Sequence, residues 1–272
     1  MRLFADDCLL YREVNSINDQ VALQADLNTL VEWAHTWGMA FNIKKCNMLT
    51  VTNKKKKKLT FTYKMDGQKV LGIRDSKYLG VTFTHNLSWN QHIAYISGAA
   101  NRMLGFLWRN LQSCPRALKE QAYKTYVRPK LEYCCTIWGP YQQDSIRKLE
   151  MVQHRAARFV TNTPHRRTEE NQISITGMIQ ELGWQPLEER RRNNRLALLY
   201  KVKQGIVEVP AAYHPQLRDP QPPRGNGHQY FWPHAEVNAY RHSFLPRTIA
   251  DWNRLDATVV SADSFESFKR LL

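Results

Sequence analysis

Two adjacent carboxylates, Asp6 and Asp7, lie between the short apolar runs Arg2-Leu3-Phe4-Ala5 and Cys8-Leu9-Leu10-Tyr11. Hard oxygen ligands suit Mg²⁺, and a tight turn between two strands would hold both carboxylates on one rigid edge. In nucleotidyl transfer, metals held this way lower the pKa of the attacking hydroxyl and neutralise the leaving pyrophosphate. An Asp-Asp pair alone is most often a solvated turn, so its meaning depends on what surrounds it. A second set of chemistry-bearing residues falls further along: Arg102, Arg109, Arg116, Lys119, Lys124, Arg128 and Lys130, interleaved with Trp108 and Tyr123. Cations at that density can track a phosphate backbone, with aromatics available for stacking. The expectation is that the cations form a phosphate-contacting face while Trp108 and Tyr123 belong to the core. The run Lys54–Lys58 reads either as a nucleic-acid patch or as a soluble hairpin tip. Arg190-Arg191-Arg192 opens a helix, where positive charge works against the dipole; helix-surface charge is the expected account.

The chain has 39 Lys and Arg against 24 Asp and Glu, a net charge of +15 over 272 residues. Residues 91–170 hold 13 basic and 6 acidic side chains, which makes the middle third the most positive. Such an excess suits a nucleic-acid binder, and by itself suits a merely basic soluble protein equally well. The five cysteines make no C-x-x-C pair and have no His at metal spacing, which argues against a zinc knuckle. Cys134 and Cys135 read as buried thiols. An odd count without a framework, Asp6 and Asp7 interrupting any leader-like apolar stretch, and no run of about 20 apolar residues together predict an intracellular protein, in nucleus or cytoplasm. Neither secretion nor membrane partnership is expected.

The elements that must position these residues follow from periodicity. A helix is expected over about 18–36, carried by Leu23, Leu27, Leu30, Val31 and Ala34, with Asp19 near its start and Gly38 ending it. Met39–Thr52, Leu59–Tyr63 and Lys77–Thr84 read as strands, with Asp66-Gly67 a strong turn signal. From Asn90 the pattern is helical. One helix carries Ile93, Ile96, Ala100, Met103 and Leu107, and a second, opened by Pro115, carries Leu118, Ala122 and Tyr126. A third spans about 143–160, and a fourth runs from Pro186 to Gly205. Six of the 12 prolines fall within 208–235, a linker or irregular loop, and a small module closes the chain with a helix capped near Ser261–Ser264.

In this order, the motifs resemble the palm, thumb and tail of reverse transcriptases from non-LTR (LINE-type) retrotransposons. Phe4-Ala5-Asp6-Asp7 matches the aromatic-x-Asp-Asp motif. Trp37-Gly38-Met39 with Asn42-Ile43-Lys44-Lys45-Cys46 resembles the next palm motif, and Lys77-Tyr78-Leu79-Gly80-Val81 with Leu87-Ser88-Trp89 resembles the strand pair that grips the primer end. Arg195-Leu196 to Leu199-Tyr200-Lys201, and Phe244 to Ile249 with Trp252-Asn253, are similar to the tail. The resemblance implies catalytic roles for Asp6, Asp7 and Lys45, with Mg²⁺ on the two aspartates. Lys45 would stand near the triphosphate, or is a surface lysine beside a strand. Tyr78, Leu79 and Gly80, together with Arg102, Arg109, Lys119, Lys124, Arg128 and Lys130, would hold an RNA template and DNA primer, Gly80 by letting backbones approach closely. Thr84 stands where the family usually has an acidic residue, and Cys46 where it has a small hydroxyl. The implied fold is α+β and mainly helical: a truncated antiparallel palm sheet in 1–89, a helical thumb in 90–170, and a C-terminal tail in 171–272. The family also needs a third carboxylate on an earlier palm strand and basic finger residues. Neither precedes Asp6 in this sequence, so the chain is expected to be incomplete as a polymerase by itself. A non-catalytic module gripping RNA or an RNA–DNA hybrid is the alternative. A third reading is a small phosphotransfer enzyme that recruits Asp66 or Asp75, both in apparent turns.

Overall fold

The computed structural model describes residues 1–52, 61–163, 174–222 and 225–272, and these form two compact units, Met1–Ser88 and Trp89–Leu272. The Lys54–Lys58 run and the first two residues of the expected Leu59–Tyr63 strand lie outside the described residues, and residues 61–63 form no strand.

The first unit begins with a hairpin of β1 (Arg2–Phe4) and β2 (Asp7–Leu9), in which Phe4 pairs with Asp7. The turn is therefore Ala5-Asp6 rather than the acidic pair, with Ala5 at φ +50°, and Asp7 already belongs to the returning strand. Helix α1 (Ile17–Thr36) is set by a full capping box: the Ser16 hydroxyl accepts from the Asp19 amide, and the Asp19 carboxylate accepts from the Ser16 amide at 2.8 Å. Gly38, at φ +65°, ends it. A single strand over Met39–Thr52 is not what forms. A 3₁₀ turn, Ile43–Lys45, precedes β3 (Asn47–Leu49), which pairs in parallel with β6 (Leu71–Ile73). Between them, β4 (Lys64–Met65) and β5 (Gln68–Lys69) close over Asp66-Gly67, both at positive φ as a type I′ turn requires. Gln24 of α1 both donates to the Lys64 carbonyl at 2.7 Å and accepts from its amide at 2.8 Å, completing the edge of β4. Lys77–Thr84 is likewise not one strand. It breaks at Leu79-Gly80, at φ +45° and +80°, into the hairpin β7 (Asp75–Tyr78) and β8 (Val81–Thr84). Among the described residues the strands pair only in twos. The core of this unit is small: Tyr63, Met65 and Val70, with Leu23, Leu27 and Val31 of α1 packed on them.

The second unit is helical, and its helices in chain order are α2 (Asn90–Leu111), α3 (Arg116–Ala122), α4 (Arg128–Glu132), α5 (Cys135–Trp138), α6 (Gln143–Thr161), α7 (Ile175–Glu181), α8 (Leu187–Lys203), α9 (Asn238–Arg241), α10 (Phe244–Trp252), α11 (Ala257–Val260) and α12 (Phe265–Leu271). Helix α2 buries Ile93, Ile96, Ala100, Leu104 and Leu107, and α6 buries Ile146, Leu149, Val152, Ala156, Phe159 and Val160, the stripe expected of amphipathic helices. Helices α3 and α4 run together through a π-helical turn, Tyr123–Val127, in which the Arg128 amide bonds to the Tyr123 carbonyl. Pro129 explains the widening: it has no N–H for the carbonyl four residues back, and its ring crowds that carbonyl. The buried face here is Lys119, Ala122, Tyr123, Val127 and Leu131, whereas Leu118 and Tyr126, expected inside, are exposed.

The C-terminal core joins Leu196, Leu199 and Tyr200 of α8 to Tyr230, Ile249, Trp252, Val259, Val260 and Phe268. Half the prolines lie in 208–235, yet the described part of that segment is folded onto this core. The Asn226 side-chain amide donates to the Trp252 carbonyl at 2.9 Å, the Trp252 indole donates to the His228 carbonyl at 3.0 Å, and Asn253 exchanges two hydrogen bonds with the Tyr230 backbone. Helix α12 is capped by Ser264, which accepts from the Ser267 amide. Among the described residues, no helix is long and apolar enough to cross a membrane.

Candidate nucleic-acid interface

In the first unit, Asp6 and Asp7 are both exposed on their hairpin. Two carboxylates supply only part of the oxygen cage that Mg²⁺ requires. Among the described residues, no group of three or more His, Cys, Asp or Glu is placed to hold a metal ion. The pair does not fit that ion by itself. Asp66 sits in its hairpin turn 3.9 Å from His35, and Asp75, expected in a turn, opens β7. Lys45 is exposed at the end of the 3₁₀ turn. Tyr78, Leu79 and Gly80 form the end of β7 and its turn, and Gly80 takes the positive φ that the tight hairpin requires. Thr84, buried, fixes the following loop by bonding to Asn86 and to the Ser88 carbonyl, both at 2.9 Å.

The second unit divides the cations that sequence grouped together. Arg102, Arg109 and Lys130 are exposed. Lys124 pairs with Glu120 at 2.5 Å, and Arg128 stands 3.9 Å from Glu132. Lys119 is not on a phosphate-contacting face. It is 1% exposed and gives its ammonium to the Gln112 carbonyl at 2.7 Å and to Asn162, closing the ends of α2 and α6. The buried register of α3, one residue off the expected face, carries it inside. Tyr123 is core, as expected, and Trp108 packs half-buried against Phe159, ring centroids 5.5 Å apart.

Arginines 190–192 are not simple surface charge either. Arg190 forks onto Glu132, with Nη2 to Oε2 at 3.1 Å, and that bond holds its pKa above the usual guanidinium value. Arg191 is 2% exposed and 3.8 Å from Glu150; burial lowers its pKa. Glu150 also caps α8, accepting from the amides of Leu187 at 3.1 Å and Glu188 at 2.8 Å. Arg195, 4% exposed, meets Asp251 at 2.8 Å, and Arg192 approaches the same carboxylate at 3.6 Å. Arg247 donates to the Gly139 and Pro140 carbonyls at 2.9 and 3.1 Å, and burial, with Arg195 nearby, brings it down to about 10. These ion pairs tie α4, α6, α8 and α10 together. The available signal was period: Arg191 and Arg195 fall on the same α8 stripe as Leu187 and Leu199.

What sequence reading missed is that Tyr95, Phe106 and two glycines share the outer face of α2 with Arg102 and Arg109. Tyr95, Arg102, Phe106 and Arg109 are all exposed and recur at helical spacing along it. Gly98 and Gly105 lie on the same stripe, and a Cβ at either would stand 3.4 Å from Arg102 Nη1 or 3.6 Å from Arg109 Nη1. Each arginine therefore lies back over a glycine, one helical heptad apart. Neither glycine is required by a turn or a positive φ, and each costs an exposed helix about 1 kcal/mol relative to alanine.

The described cysteines are free, and Cys135 is buried with its thiol pKa raised by desolvation. No protein-family profile and no solved structure matches the chain. Curated relatives do. It is 27% identical over 166 residues to the probable RNA-directed DNA polymerase of the Drosophila melanogaster transposon BS, covering 60% of this chain and 18% of that protein. It is 27% identical over 167 residues to the RNA-directed DNA polymerase of the Drosophila funebris mobile element jockey, covering 59% and 18%. A third match, 25% over 162 residues, is to the corresponding protein of the X-element. The matched region is thus less than a fifth of the length of these relatives. By these matches the chain is similar to the RNA-directed DNA polymerases of non-LTR retrotransposons.

Proposed function

We propose that the chain is a nucleic-acid-holding portion of a retrotransposon RNA-directed DNA polymerase, with unit Met1–Ser88 corresponding to the end of the palm and the helices of the second unit to thumb and tail. The observation that carries this is the outer face of α2, where Arg102 and Arg109, about 10 Å apart at 1.5 Å per residue, lie over Gly98 and Gly105 between Tyr95 and Phe106. The missing Cβ atoms let each guanidinium lie close against the helix; there the guanidinium groups can meet the phosphates of a strand while the rings offer apolar contact. In this reading Asp6 and Asp7 would be two of the carboxylates of a Mg²⁺ site that needs further ligands from outside the described residues. Lacking a third ligand among the described residues, the chain alone does not extend a primer. Binding to an RNA–DNA hybrid without turnover is the expected behaviour.

The test uses the purified 272-residue chain, a labelled RNA–DNA hybrid and a KCl titration, beside a primer-extension reaction in Mg²⁺. Binding should weaken steeply with salt, and Arg102→Gln with Arg109→Gln should flatten the log–log slope by about 2. Templated incorporation of nucleotides by the chain would overturn the claim of inactivity. Affinity indifferent to salt would overturn the whole reading.

A further inference from the structure

A second feature of the helical unit is lined by residues other than those of the α2 face. A polar cleft of about 240 Å³ opens beside the π-helical turn, lined among others by Tyr123, Lys124, Arg128, Gln153, Trp184 and Arg190. We propose that this cleft is a seat for a single phosphodiester of a nucleic-acid strand; the proposal rests on the functional reading above and adds a specific site to it.

Three observations carry it. The first is charge. Lys124, Arg128 and Arg190 face the cleft, and the carboxylates beside them are Glu120, paired to Lys124, and Glu132, which takes the fork of Arg190. Three cations against two carboxylates leave an excess of one positive charge, which one phosphodiester neutralises and a doubly charged monoester would exceed. Arg128 is the least committed of the three: its Nε is 3.9 Å from Glu132, beyond hydrogen-bond reach, which leaves its planar fork available to two phosphate oxygens. The second is rigidity. The floor is a stacked Tyr123–Trp184 pair, centroids 4.5 Å apart and planes within 20°. The Tyr123 hydroxyl donates to Gln153 at 2.9 Å, Gln153 donates to the Gln185 carbonyl at 3.0 Å, and the Trp184 indole donates to Glu120 at 3.0 Å. Glu120 thereby fixes both the floor and the Lys124 ammonium, and its pKa is lowered by those two bonds. An anion arriving here meets cations already oriented, with little side-chain entropy left to lose. The third is backbone. Tyr123 and Lys124 start the π turn and Arg128 follows it. A π turn is uncommon and recurs at functional sites, and this one sets the angular offset between Lys124 and Arg128.

The experiment measures binding of the full chain to a single-stranded oligonucleotide and to an RNA–DNA hybrid, each synthesised with one methylphosphonate linkage stepped along the strand. Wild type should show a position where removing one charge weakens binding several-fold. Arg128→Gln should abolish that position effect and flatten the salt slope by about 1. Lys124→Gln should do the same to a smaller degree, and Arg128→Lys should restore part of it. Melting curves establish that each variant is folded, and the less buried Lys124 supplies the result if Arg128→Gln is not. If Arg102→Gln and Arg109→Gln alter the slope while both cleft variants keep the wild-type methylphosphonate map, the cleft assignment falls and the functional reading stands. If wild type binds no nucleic acid, both fall. Displacement of the strand by equimolar inorganic phosphate or by polyglutamate would identify the cleft as a general anion site and overturn the assignment to a phosphodiester.

Discussion

The two units invert the usual relation between motif and scaffold. Met1–Ser88 carries the sharpest chemical signals, Asp6-Asp7, Lys45 and Tyr78-Leu79-Gly80, on paired strands around a core centred on Tyr63, Met65 and Val70. Trp89–Leu272 carries no sharp motif, yet it holds the fully buried Trp138, Trp252, Leu149 and Phe268 and a lattice of ion-paired arginines. Where the chain has few apolar residues to bury, these motif residues stand on or beside tight turns whose geometry is local. Where it has many, even its charges are drawn into the scaffold. A basic residue in the second unit therefore cannot be read as a ligand contact from its charge alone.

The sharpest way to break this contrast is to remove matched parts of the two cores. Trp252→Ala should cost about 3–5 kcal/mol, because a fully buried indole leaves a cavity that its neighbours Tyr230 and Phe268 cannot fill. Met65→Ala, in the smaller core, should cost about 2 kcal/mol, since that site can collapse more readily. Urea unfolding followed by hydrogen exchange in each unit gives both values. Equal costs would mean the first unit is packed as tightly as the second, and the contrast would fail.

The charge side of the contrast is tested at Asp251. Asp251→Ala strands Arg195, 4% exposed, and should destabilise by about 2–4 kcal/mol, somewhat below the usual cost of breaking a buried pair because the carboxylate keeps 19% exposure. Replacing both partners, Asp251→Leu with Arg195→Met, should recover most of the loss. Nucleic-acid affinity should stay at the wild-type value in the double variant. If affinity fell with the arginine, that residue would belong to the binding face and not to the scaffold.

How much of this was legible in sequence depended on whether the signal was local. Helix α1, the Asp66-Gly67 hairpin and the stripes of α2 and α6 follow from spacing and turn chemistry, and they form as expected. The acidic hairpin also forms, but its register slips by one residue because pairing Phe4 with Asp7 leaves Ala5-Asp6 to turn. Spacing puts Leu118 and Tyr126 on the buried face and Lys119 outside, whereas the folded helix buries Lys119 and, through the π turn before Pro129, Val127 in place of Tyr126. The Pro-rich segment reads as a linker in composition, yet Asn226 and Asn253 hold it to the core through side-chain bonds that carry no periodic signal. The glycines of α2 were visible as residues. Their meaning came only from the arginines lying over them.

The smallest effect concerns the capping box, where the first unit depends on a charge after all. The Asp19 carboxylate accepts from the Ser16 hydroxyl and from the amides of Asn15 and Ser16, and these bonds, the first above all, lower its pKa below the ordinary carboxylate value. A carboxylate whose folded pKa is depressed contributes stability that is fully present above its unfolded pKa and is lost as pH falls through the folded one. Asp19→Asn should therefore weaken exchange protection at the start of α1 at neutral pH, and the gap from wild type should close below the normal carboxylate range. Ser16→Ala, which removes the acceptor for the Asp19 amide, should cost about 1 kcal/mol at neutral pH. If the gap between Asp19→Asn and wild type stayed constant down to the most acidic pH at which the chain remains folded, the box would be acting through geometry alone. The first unit would then be held by backbone turns with no electrostatic share, a stricter form of the contrast with the second.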